Sequence, residues 1–221
     1  MRLRPLPQRI SSTFADWRWS ASDLASNALR GHLAEFLVGR ALGATGDIRN
    51  EWDSYDLELP SRVRIEVKSA AYFQTWAQTV ESAISFGIGP TLAWDPGTNT
   101  FAPESQRCRQ ADVYVFALLA HPNKLTLNPL DVAQWEFYLL SSAVLDAMCP
   151  GQKQIGLASL RKLKPRKCSF SELAVGLEEL QIVPRATALG GAPAAPELQR
   201  EALAESAGPE PSLPRAASER A

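Results

Sequence analysis

Trp52-Asp-Ser-Tyr-Asp-Leu-Glu-Leu-Pro-Ser-Arg-Val-Arg-Ile-Glu-Val-Lys68 is the stretch on which the fold turns. Read with a period of two, Leu57 and Leu59 share one face of a strand, and Asp56 and Glu58 the other. The alternation resumes after Pro60-Ser61, with Val63, Ile65 and Val67 pointing one way and Arg64, Glu66 and Lys68 the other. Proline and serine are turn residues, so the segment predicts two antiparallel strands joined by a tight hairpin. With Pro60-Ser61-Arg62 as the loop, Leu59 faces Val63 and Asp56 faces Glu66. Opposed Cβ atoms lie roughly 5 Å apart. Two carboxylates then sit side by side, with the Lys68 ammonium further along the same face. Like charges so placed destabilise a hairpin unless something offsets them, and a divalent cation bound between them would do so. The plainer alternative is a solvated charged face, because Glu-x-Lys is a short and common pattern. Against it stands the apolar face of Val63, Ile65 and Val67, which predicts a rigid strand of the kind that holds a metal site best.

Upstream, Leu24, Ala28, Leu33, Phe36, Leu37 and Leu42 recur at helical spacing behind a candidate cap at Ser22, and Gly43 and Gly46 stop the pattern. Gly31 is a candidate break, with Arg30-Gly31-His32-Leu33-Ala34-Glu35 opening a second piece. Glu35 falls among Ala34, Phe36, Leu37 and Val38. A carboxylate on so apolar a helix is costly to bury unless paired or liganding, and Arg40 is the alternative partner. Residues 1–20 read as an irregular arm carrying Arg2, Arg4 and Arg9.

Downstream, residues 69–80 leave the strand as loop or helix, and 82–88 alternate as a strand. Residues 94–101 are a turn-rich connection. Residues 112–120 form the most apolar and β-branched run and predict a central buried strand. A further strand at 135–140 precedes a short helix at 142–148, and 155–160 reads as strand or helix. Arg161, Lys162, Lys164, Arg166 and Lys167 make a basic cluster around Pro165, and a Ser171-capped amphipathic helix closes the domain. Residues 185–221 are rich in Ala, Pro, Glu and Gly, with no aromatic or β-branched apolar residue. Such a composition predicts a disordered tail. The order of elements predicts one α/β or α+β domain over 21–184, a mixed sheet flanked by helices.

A net charge of -1 supplies no global attraction to nucleic acid, so any basic surface is local. Cys108, Cys149 and Cys168 are widely spaced, and with only two histidines they argue against a zinc site or a disulfide framework. They read as packing residues in a reducing cytoplasm. No apolar run approaches the ~20 residues of a membrane-spanning helix, and the N-terminus lacks the apolar core of a signal peptide. His32, His121, Trp76, Trp94 and Trp135 read as structural.

Glu35 on a helix, Asp56 on one strand and Glu66-Val67-Lys68 on the next resemble the PD-(D/E)xK, or restriction-endonuclease-like, nuclease superfamily. The Arg-Gly-x-x-x-Glu helix from Arg30 is similar to that of the Holliday-junction resolvases within it. The stretches Ile65–Trp76, Arg109–His121 and Gln134–Tyr138 also resemble an uncharacterised stand-alone family of this superfamily. Tyr55 stands where many members carry proline before the aspartate. The resemblance implies a restriction-endonuclease-like core and a Mg²⁺-dependent DNA endonuclease, with Mn²⁺ as substitute, acting in restriction, phage defence or repair. It implies Asp56, Glu66, Glu35 and the Val67 carbonyl as metal ligands, and Lys68 as the group that orients water or stabilises charge. Gln74 or Gln78 matches the polar residue that follows the motif. Arg30 and the 161–167 cluster would contact DNA. A homodimer is compatible with this reading, and no membrane partner or small-molecule cofactor is implied. A non-catalytic nucleic-acid-binding protein on the same fold is the alternative.

Overall fold

A computed structural model describes residues 21–44, 54–95 and 98–185. The arm at 1–20 and all but Arg185 of the tail lie outside the described residues. The chain enters as helix α1 (Asn27–Leu42), preceded by Ser26 at the N-cap and ended by Gly43, whose φ of 68° is the left-handed cap conformation that glycine adopts without steric cost. The helix begins later than Ser22 and runs unbroken through Gly31. At that point a Cβ on Gly31 would lie 4.0 Å from the Ser69 hydroxyl, an ordinary van der Waals contact, so the position has room for a side-chain carbon. Burial of Ala34, Leu37 and Val38 against the sheet outweighs the roughly 1 kcal/mol that a helical glycine costs.

The hairpin forms with the expected register. Strand β1 (Leu57–Glu58) pairs antiparallel with β2 (Arg64–Ala71), Leu57 opposite Ile65 and Glu58 opposite Arg64. The Leu59 N–H donates to the Val63 carbonyl (3.0 Å), and Arg62 closes the three-residue loop with a φ of 67°. A left-handed third residue is the usual solution for a hairpin loop of this length. β1 is short, so among the described residues most of one edge of β2 has no strand beside it.

Beyond β2 come β3 (Ser85–Gly87), shorter than its alternating pattern, and a small hairpin of β4 (Trp94–Asp95) and β5 (Thr100–Phe101) in the turn-rich connection. The central strand is β6 (Val113–Leu119), buried at every residue, and it runs parallel to β2. β7 (Trp135–Ser141) pairs antiparallel with β6 and leads into α2 (Ser142–Met148), capped by the Ser141 hydroxyl. The ambiguous 155–160 segment is both things: β8 (Gln154–Gly156), paired with β3, then α3 (Leu157–Lys162). β9 (Arg166–Cys168) adds to β7, and α4 (Leu173–Glu179) closes the domain behind a capping box made by Ser169 and Glu172 rather than by Ser171.

Among the described residues the main sheet therefore has five strands in the order β1-β2-β6-β7-β9, mixed in direction and flanked by helices. One face, with Ile65, Val67, Val115 and Phe137, packs against α1 and α4 through Ala34, Val38 and Leu173. The other, with Ala70, Phe116, Leu118 and Tyr138, packs against α2, α3 and the β3–β8 pair through Leu145, Leu160, Phe86 and Ile155. Cys149 and Cys168 are buried and Cys108 exposed, all as free thiols. No helix among the described residues is long and apolar enough to cross a membrane.

Candidate active site

Alternation along β2 places Glu66 and Lys68 on one face and Val67 on the other, with the backbone polar groups of successive residues pointing to opposite edges. Asp56 lies one residue before β1. Its backbone N–H donates to the Ile65 carbonyl (3.0 Å), and its carboxylate accepts from the Val67 N–H (2.7 Å). Within a strand the N–H and C=O of one residue face the same edge. The Val67 carbonyl therefore faces the open edge where the Asp56 carboxylate sits. The shortness of β1 makes this possible, because a longer strand would occupy both backbone groups of Val67.

Glu66 and Lys68 form an ion pair in which both side chains are largely shielded from solvent. Their charges bear on Asp56. Burial and the Glu66 carboxylate push its pKa up to about 7, with Glu35 adding to the rise, against the lowering effects of the Val67 N–H and Lys68. Lys68 is held above its ordinary value: burial works to lower it, and the carboxylates of Glu66, Asp56 and Glu35 outweigh that burial. Tyr114, beside Glu66 on β6, is likewise pushed up by burial and by the Glu66 charge. Glu35, half-buried on α1, is thus electrostatically part of the same group as Asp56, Glu66 and Lys68. Among the described residues no three carboxylate, imidazole or thiolate side chains converge as a ready-made metal cage.

Gln74 takes a different place. It is buried beyond the end of β2, where its amide accepts from the Arg30 guanidinium (3.1 Å) and donates to the Ala71 carbonyl (3.0 Å), and its backbone N–H donates to the Gln78 amide oxygen. Both glutamines organise the loop after β2. Arg30 is buried with Gln74.

The basic cluster is only partly free. Arg161 stacks over the Tyr138 ring (5.7 Å) and donates to its hydroxyl (2.8 Å); Lys167 pairs with Glu136 (2.7 Å), and Arg166 with Glu179 (2.5 Å). Lys162 and Lys164 are exposed, with no ion pair among the described residues. Pairing registers align Lys68, Phe116, Tyr138 and Lys167 in one row across the sheet. At about 4.8 Å per strand, the cluster stands about 14 Å from Lys68. Trp135 is buried as expected, whereas Trp76 is 56% exposed, on the loop after β2 rather than in the core.

The alternation and spacing of the hairpin predict that Asp56, Glu66 and Lys68 come together, and the structure groups them. Ser69, Ser82 and Asn27, which line a cleft beside them, had no pattern to mark them.

No curated protein and no solved structure matches the chain. Residues 9–149 match a family described as bacteriophage T4 endonuclease IV. That span includes α1, the hairpin with Asp56, Glu66 and Lys68, and the central strands β6 and β7, and it stops short of the basic cluster. A group of interacting carboxylates with a lysine at an open strand edge is thus contained in the part of the sequence that defines the match, and the chain belongs to the bacteriophage T4 endonuclease IV family.

Proposed function

We propose that the chain is a Mg²⁺-dependent DNA endonuclease of the PD-(D/E)xK type that hydrolyses phosphodiester bonds at the open edge of β2. The observation that carries this reading is the grouping of Asp56, Glu66 and Lys68 at one strand edge, where burial and then the neighbouring Glu66 carboxylate push the Asp56 pKa up to about 7. Family membership supports the endonuclease half of the proposal. The donor set fits the metal. Mg²⁺ takes hard oxygen ligands, keeps several waters, and is held by one or two carboxylates rather than by an all-protein cage. Asp56, Glu66 and the Val67 carbonyl would hold it, with Glu35 completing the set from α1.

Bound there, the ion would lower the pKa of a coordinated water and polarise the phosphate. The remaining work falls to the protein. Glu66 holds the Lys68 ammonium beside the carboxylates, where it can orient the attacking water or stabilise charge developing on the phosphate. The Val67 N–H keeps the Asp56 carboxylate at the strand edge. Lys162 and Lys164, on the same side of the sheet as Lys68, supply backbone-phosphate contacts, whose counterion release makes binding salt-dependent.

The test is cleavage of supercoiled, linear, single-stranded and branched DNA with Mg²⁺, Mn²⁺ or a chelator. Metal-dependent cutting that disappears in Asp56→Asn is expected. Binding of DNA without cutting under every condition would favour a non-catalytic nucleic-acid-binding protein and overturn the proposal.

A further inference from the structure

Arg30 is only 4% exposed, and its guanidinium touches neutral oxygens alone. Nη1 donates to the Ala25 carbonyl and to Gln74 Oε1, both at 3.1 Å, Nη2 donates to Asn27 Oδ1 at 2.8 Å, and Nε is buried without a partner. Burial lowers its pKa, with no carboxylate set against that effect. The contrast with the other sequestered guanidinium groups is clear: Arg109 pairs with Asp146 (2.7 Å) and Arg64 with Asp112 (3.1 Å). A buried charge is costly unless something compensates it, and no described side chain compensates this one.

Arg30 lines a cleft of about 310 Å³ together with Asn27, Ser69, Gln74, Ser82 and Ser85. Its polar walls are hydroxyls and amides, and no acidic side chain lines it among the described residues. The cleft begins at the residue after Lys68. By strand alternation the Ser69 N–H faces the same open edge as the Val67 N–H that Asp56 accepts, about 7 Å further along β2. A cation with spare N–H groups, hydroxyls and a backbone donor in a cleft without carboxylates make a receptor for a tetrahedral oxyanion.

We infer that this cleft binds a phosphate of the substrate backbone neighbouring the one that is cut, and so positions the strand across Asp56, Glu66 and Lys68. The inference rests on the nuclease reading above and adds to it a second anionic subsite, with Arg30 as a positioning residue.

Two measurements test it. In the first, inorganic phosphate is titrated into the metal-free protein at constant ionic strength, with chloride as control. The thermal midpoint should rise saturably with phosphate, and Arg30→Gln should abolish the rise. Ser69→Asp supplies the missing counter-charge, so it should raise the midpoint of the phosphate-free protein and also abolish the response. In the second, steady-state cleavage by Arg30→Gln should show KM up by about 10-fold or more with kcat changed by less than about 3-fold, the pattern of lost substrate binding. One neutral methylphosphonate moved along the oligonucleotide should weaken wild-type binding at a single position beside the cut, and Arg30→Gln should be indifferent to it there.

No phosphate-specific shift in the wild type, or a shift that survives in Arg30→Gln, overturns the inference. So does a fall in kcat at constant KM. A phosphate response with no sensitive methylphosphonate position would make the cleft a site for free phosphate, and overturn the assignment to DNA. The phosphate titration needs neither metal nor cleavage. An intact response in a protein that cuts no DNA would therefore show that the nuclease reading had failed, separately from the cleft.

Discussion

Asp56 and Lys68 stand together at the edge of β2 but are assigned different tasks, so their variants should fail differently. Asp56→Asn removes a carboxylate proposed to bind the ion and should abolish both Mn²⁺ uptake, read by calorimetry, and cleavage. Lys68→Ala removes a cation from beside the carboxylates, so Mn²⁺ affinity should hold or rise. Cleavage should still fall by roughly 10²-fold or more, as when one transition-state-stabilising donor is lost. Wild-type cleavage by Lys68→Ala would remove that residue from the mechanism. The raised pKa of Asp56 also has a consequence for stability. A folded-state pKa of about 7, against about 3.9 in the unfolded chain, means that the native protein holds this proton more tightly. Stability should therefore fall as pH rises from about 4 to about 7 in the metal-free protein. Asp56→Asn carries no such charge. It should be more thermostable than the wild type at pH 8, and the difference should vanish near pH 4. An unchanged midpoint at pH 8 would show that the carboxylate is better solvated than its burial implies.

At the level of elements, α4 lies so close to β9 that Gly176 is in direct reach of the Cys168 sulfur. A Cβ added at Gly176 would overlap that buried atom, and its next neighbour, an Arg166 side-chain carbon, lies 3.4 Å away. Gly→Ala in a helix ordinarily stabilises by up to about 1 kcal/mol. Here the overlap should reverse the sign, with a net loss of about 1–3 kcal/mol typical of an overpacked core. Cys168→Ala removes the sulfur, so the double variant should recover most of the Gly176→Ala loss. Denaturant unfolding of the two single variants and the double variant would measure that coupling. Additive effects would mean that the helix shifts away at little cost. The same crowding explains why neither the glycine nor the cysteine is conspicuous in the sequence: each matters only through the other.

For the molecule as a whole, Arg185 is tied to the domain by hydrogen bonds and an ion pair. Its backbone N–H donates to Asp112 (3.0 Å), and its guanidinium reaches Asp146 (2.8 Å) and the Arg109 carbonyl (3.3 Å). Asp112 is itself buried and also accepts from the Arg64 backbone and side chain. A chain ending at Arg185 should keep the stability of the full chain to within about 1 kcal/mol, because residues 186–221 carry too few large apolar side chains to bury. Arg185→Ala in that shortened chain should lower the midpoint, since it strips a partner from Asp146. A large loss on removing 186–221 alone would show that the tail docks.

The sequence by itself determined the elements whose signal is local. The period-two alternation on either side of Pro60-Ser61 set the hairpin and its register, and through them brought Asp56 and Glu66 within electrostatic reach. The β-branched, apolar run at 113–119 determined the central strand, because only a strand covered on both faces can bury every residue. What the sequence could not determine depends on groups far apart in the chain. The helix runs through Gly31 because a sheet lies beneath it. Gln74 and Arg30 meet across 44 positions, and the carboxylate that would ordinarily mark a buried arginine is missing from that contact. Arg161, Arg166 and Lys167 of the 161–167 cluster are paired with Glu136 and Glu179, which no local pattern links to it. Periodicity reports which face of an element is buried. Which charges then stand opposite one another, and which are left without a partner, is decided only when the elements pack.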